Sequence, residues 1–108
     1  MSDTIELTRI CGVDEVEAEE ILRVETDAFG PVCVTKYDGE IYVFPDKCPH
    51  ADEALAEGLV EDGRIVCPVH FAEFELGTGE AHNEPTGCDN LKFFECVERE
   101  NGVFAKLN

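Results

Sequence analysis

Two cysteine–histidine pairs constrain this chain more than any other feature. Cys48 and His50 stand in CPHADEAL (48–55), Cys67 and His70 in CPVH (67–70), with sixteen residues between the pairs. Each pair offers one soft thiolate and one imidazole, so the fold must carry two short segments to one point. The donor set suits a tetrahedral zinc ion, or a 2Fe-2S cluster with both sulfurs on one iron and both imidazoles on the other. Ligand order favours the cluster. Structural zinc sites usually pair like ligands within one knuckle, whereas C-x-H followed by C-x-x-H mixes them within each segment. A zinc ion that staples two loops together remains the structural alternative.

The segments around the pairs read as short strands. EILRVE (20–25), VCVTKY (32–37), EIYVF (40–44), RIVC (64–67), FEL (74–76), LKFFECV (91–97) and VFAKL (103–107) are rich in β-branched and aromatic residues and separated by turn signals. Asp38-Gly39 and Asn101-Gly102 each join two of these runs, and both dipeptides tolerate the positive φ that a tight hairpin needs. VDEVEAEE (13–20) has helical composition but poorly spaced apolar residues, and is read as an acidic loop or a single turn. The expected fold is all-β: a small antiparallel sandwich or barrel, with both Cys/His pairs on loops between strands. At 108 residues there is room for one domain, taken as 1–108, with ligand loops at about 46–58 and 66–79.

Charge excludes some partners. The chain has 25 acidic residues against 8 lysines and arginines, a net charge of −17. Such a surface repels nucleic acid and anionic membranes and attracts basic protein patches. MSDTIELTRI has no apolar run of the kind a secretory signal needs, and no segment approaches the length of a membrane span, so a cytoplasmic monomer is expected. In that compartment six cysteines argue for metal rather than a disulfide framework. Cys33 in VCVT and Cys96 in FFECV are read as buried thiols acting as small hydrophobes. Cys11 and Cys88 fall in turn-like sequence and are read as partly exposed. His82, in EAHNEP, is read as an exposed turn residue rather than a ligand.

With these residues in view, the chain resembles the Rieske family, whose members carry C-x-H and C-x-x-H at this separation. Asp52, Leu55, Glu57 and Gly58 match the stretch after the first pair; Cys67-Pro68, His70, Phe74 and the Thr78-Gly79 turn match the stretch around the second. EEILRVETDAFGPVCVTKYDGEIYVFPD looks like the family's opening strands, and LKFFECVERENGVFAKL like its closing hairpin. The resemblance implies one 2Fe-2S cluster, with Cys48 and Cys67 on one iron and His50 and His70 on the other. Two positions depart from the pattern: Ala72 replaces a usual glycine, which requires that its φ stay negative, and Phe74-Glu75 replaces Phe-Asp.

Within the family, a chain of this size looks like the small ferredoxin component of bacterial multicomponent aromatic-ring dioxygenases. The implied role is electron transfer without bond chemistry. A flavoprotein reductase fed by NAD(P)H would supply single electrons, and a terminal Rieske oxygenase with a non-haem iron would receive them. The rival within the same fold is the small subunit of an assimilatory nitrite reductase. High-potential relatives carry a disulfide between the loops and hydroxyls against the cluster sulfurs. At the matching positions this chain has Glu53 and Val69, and Ala72 and Phe74, which implies a low reduction potential.

Overall fold

The computed structural model describes residues 7–27, 29–47, 54–68, 72–82 and 90–107. Within them the chain forms ten strands: β1 (Thr8–Cys11), β2 (Leu22–Thr26), β3 (Gly30–Tyr37), β4 (Glu40–Pro45), β5 (Leu59–Glu61), β6 (Arg64–Val66), β7 (Glu73–Glu75), β8 (Ala81–His82), β9 (Cys96–Arg99) and β10 (Gly102–Ala105). They pair antiparallel in three sheets, ordered β1-β10-β9, β2-β3-β4 and β5-β6-β7-β8. Single 3-10 turns at Val13–Glu15 and Leu55–Glu57 are the described helical pieces. The all-β expectation therefore holds, and VDEVEAEE supplies one turn. No helix among the described residues is long and apolar enough to cross a membrane.

The β2-β3-β4 sheet lies between two cores, and the sequence of its strands explains why. On β3, Val32 and Val34 point into a cluster with Ile10, Val16, Val43, Val103, Ala105 and Leu107, under the β1-β10-β9 sheet. Cys33, between them, points to the other side and packs with Phe44, Leu55, Val60, Ile65, Cys67, Ala72, Phe74 and Leu91. Successive strand residues face opposite sides, so a continuous apolar run such as VCV marks a strand covered on both faces. The second core is shared with the four-stranded sheet, and that sheet carries the ligand segments.

Several boundaries differ from the sequence reading. LKFFECV contributes β9 only from Cys96; Phe94 instead makes an isolated bridge to Val43, donating its N–H to the Val43 carbonyl at 2.8 Å. The last hairpin turns at Glu100 and Asn101, because Gly102 already pairs with Arg99 in β10. Gly102 has φ +146°, and a β-carbon on it would come within 2.7 Å of the Cys11 carbonyl oxygen, so its glycine serves strand contact rather than the turn. Cys11 is buried, not partly exposed, because it ends β1 opposite Val103. Cys33 is fully buried and Cys96 half-buried, its Sγ donating to the Ile41 carbonyl at 3.4 Å. Cys88 lies outside the described residues.

Candidate metal centre

Strand register brings the two ligand segments together. Leu59 opens β5 opposite Val66, which closes β6; Val66 pairs with Glu73, which opens β7; and Glu73 pairs with His82 in β8. One end of the four-stranded sheet thus receives the segment that follows β4 and also emits the segment between β6 and β7. The Asp62-Gly63 turn joins β5 to β6 at the other end, both residues having positive φ.

Of the four candidate ligands, Cys67 is described and Cys48, His50 and His70 are not. Cys67 follows β6 directly and is fully buried in the core beneath the sheet end. Its N–H donates to the Ala72 carbonyl at 2.8 Å, closing the 67–72 loop at its base. Ala72 is fully buried and is not among the positive-φ residues, so alanine meets no backbone penalty there. The second ligand segment is narrower than 66–79, because β7 runs through its middle.

The first segment leaves β4 at Asp46 and returns at the 3-10 turn Leu55–Glu57. The Asp46 side chain is 1 % exposed. Its Oδ1 accepts the Ala56 N–H at 2.8 Å and the Cys33 thiol at 3.3 Å, while its Oδ2 lies 2.7 Å from Arg23 Nε. Burial alone would raise its pKa, but the hydrogen bonds from Ala56, Arg23 and Cys33 together hold the carboxyl below the usual range. The same neighbourhood keeps Cys33 a thiol: burial first, and then the Asp46 charge, push its pKa well up. Leu55 is fully buried in the shared core, and Gly58 lies against the Val66 carbonyl. The return of the first segment, at Leu55 and Gly58, is thereby seated beside the residue that precedes Cys67.

The donor chemistry fits an iron–sulfur cluster. One thiolate position is buried at the sheet end, and a second thiolate and two imidazoles lie in sequence on the segments that this end gathers. Pro68 has no N–H to offer a cluster sulfur, so any amide donor there must come from another residue of the loops.

His82 was expected in an exposed turn; it lies in β8 instead and is half-buried. Its Nε2 stands 3.4 Å from Glu75 Oε1 and 3.8 Å from Glu80 Oε1, on the outer face where Arg64 Nη1 meets Glu73 Oε1 at 2.9 Å. The residue that the sequence reading missed is Asp46. In PDK it looks like a turn aspartate, and its partners at 23, 33 and 56 are recognisable only when folded.

Comparison with known proteins gives a concordant result. The profile of the Rieske [2Fe-2S] domain matches residues 6–95. The ferredoxin component of biphenyl 2,3-dioxygenase from Rhodococcus jostii (strain RHA1) is 39% identical over 88 residues, covering 82% of this chain and 80% of that protein. Among solved structures, the Sphingomonas yanoikuyae B1 ferredoxin superposes with a TM-score of 0.84 at 25% identity, covering 95% of this chain and 100% of that one. A chain from the complex of reduced oxygenase and oxidized ferredoxin in carbazole 1,9a-dioxygenase gives 0.81 at 25% identity, covering 95% of this chain and 94% of that one.

Proposed function

Because the chain belongs to the Rieske [2Fe-2S] family, we propose that it is the ferredoxin component of an aromatic-ring dioxygenase system, passing single electrons from a flavoprotein NAD(P)H reductase to a terminal Rieske oxygenase. A Rieske domain carries one [2Fe-2S] cluster, whose chemistry is reversible one-electron transfer. Cys48 and Cys67 would hold one iron, and His50 and His70 the other. The protein's own contribution is placement. The sheet end gathers the return of the first segment and the start of the second, and burial of Cys67 keeps water from that thiolate position.

The carrying observation is that the similarity extends over most of proteins that are themselves ferredoxins: 80% of the biphenyl system's component and 100% of the Sphingomonas chain. Partner class follows from the carbazole complex, in which a ferredoxin of this fold accompanies an oxygenase. These relatives speak for a carrier rather than for a zinc-stapled module or a nitrite reductase subunit. The test is reconstitution. Purified chain, a flavin reductase and a dioxygenase are combined with NADH, and the rate of aromatic-ring oxidation is followed as the chain is titrated. Saturable dependence on the chain supports the reading. A cluster that the reductase reduces but no dioxygenase reoxidises would overturn the assignment of partner.

A further inference from the structure

We infer that Asp46 is a positioning residue for the cluster, a buried latch that holds the neck of the first ligand loop shut. The inference rests on the proposed reading of Cys48 and His50 as ligands, since both lie on the stretch that the latch closes.

The second loop is closed at its base by a backbone bond, from Cys67 N–H to the Ala72 carbonyl. The first is held differently. Among the described residues between Pro45, which ends β4, and Leu59, which begins β5, no strand pairing joins its ends. A carboxylate bridges them. Asp46 is fixed to the middle sheet three ways: its N–H donates to the Pro31 carbonyl at 3.2 Å, its Oδ2 meets Arg23 of β2 at 2.7 Å, and its Oδ1 accepts from Cys33 of β3 at 3.3 Å. The same Oδ1 accepts the Ala56 N–H at 2.8 Å, at the far end of the loop. The segment 47–55 therefore begins and ends on one side chain, tied to the rigid sheet. A charge-assisted bond to a buried, ionised acceptor is worth more than a neutral one, and its loss leaves the Ala56 N–H and the Arg23 guanidinium competing for fewer acceptors.

The latch should control how tightly the loop retains iron, separately from global stability. Asp46→Asn keeps shape and volume but cannot serve both partners. If the amide oxygen faces Ala56, its NH2 meets the Arg23 donor; if it is flipped, the NH2 meets the Ala56 N–H. The control is Val34→Ala, which opens a cavity in the other core, away from the ligand loops. Both holoproteins are compared with the unmodified one at equal intervals below their melting midpoints. Two properties are read: iron release to an external chelator, and the electron paramagnetic resonance spectrum of the reduced cluster.

Asp46→Asn is expected to release iron roughly tenfold faster and to shift or broaden the g-values, with Val34→Ala leaving both near the unmodified protein. Equal release and unaltered spectra in the two variants would show that Asp46 merely stabilises the fold. Should Asp46→Asn fail to fold, Arg23→Gln is the milder variant, because that side chain is half-exposed and only one of the latch bonds is weakened. Release from it no faster than from Val34→Ala overturns the proposal equally. The ligand reading is tested apart from the latch: an intact cluster in Cys48→Ala would sink the former whatever Asp46→Asn does.

Discussion

Gly58 packs so closely on the carbonyl of Val66 that a β-carbon added to it would stand 2.0 Å from the oxygen. The contact joins the return of the first ligand loop to the strand residue immediately before Cys67. It also explains why glycine is needed at a position whose φ, −88°, any residue can adopt. The requirement is one of space and not of backbone conformation.

Gly58→Ala must therefore push the 3-10 turn away from β6. The expected cost is about 1–3 kcal/mol, the usual range for overpacking a tight contact. Urea denaturation of the holoprotein measures it. Substitution of Gly39, whose added β-carbon meets nothing, serves as comparison for a purely conformational penalty. A cost for Gly58→Ala within experimental error of zero would mean that the loop shifts freely at this point.

Alanine at any one of Cys48, His50, Cys67 or His70 is expected to abolish the red-brown chromophore, since each change leaves an iron one ligand short. Cys33→Ala and Cys96→Ala should keep cluster absorbance per folded molecule. Cys33 should cost more stability than Cys96, because it is fully buried and donates to Asp46, while Cys96 is half-buried. Iron and acid-labile sulfide analysis decides the matter; stoichiometric zinc without sulfide is the opposing result.

What the sequence made legible follows from how local each signal is. The ligand spacing, the Asp38-Gly39 turn and the long strands β3 and β4 are each contained in a few neighbouring residues. Strands β5 and β8 are three and two residues long, too short for an alternating pattern to show. β1, TRIC, is a strand because β10 offers it an edge nearly a hundred residues later in the chain (Thr8 opposite Ala105). Its burial, and that of Cys11, could not be read locally. The same holds for Asp46, whose role depends on three partners scattered from 23 to 56.

Electron transfer from the reductase should slow as salt rises, because the attraction between a −17 surface and a basic patch is screened beyond about 8 Å at physiological ionic strength. The structure sharpens which acids matter. Glu73 is paired with Arg64, so part of its charge is already compensated. Glu57 is exposed at the end of the first ligand loop and makes no ion pair among the described residues. Glu57→Lys is expected to lower the second-order rate more than Glu17→Lys, which sits far along the chain from either loop. Stopped-flow rates that are flat between low and high salt would assign the acidic surface to solubility alone.

The reduction potential should lie at the low end of the Rieske range, near about −150 mV. Hydrogen bonds to cluster sulfur favour the more negative, reduced state, so each missing donor lowers the potential. By the family resemblance, high-potential members place hydroxyls at the positions of Ala72 and Phe74. Here both side chains are fully buried against Cys67 in the shared core, and neither has a hydroxyl to give. The carboxylates of Glu73 and Glu75 on the same strand act in the same direction, favouring the less negative, oxidised state. Ala72→Ser combined with Phe74→Tyr restores the two donors at the base of the Cys67 loop, where burial shields them from competing water. Protein-film voltammetry should show the double variant above the parent. A parent already well above zero, or a double variant that binds its cluster normally without moving upward, would show that these two positions do not set the potential.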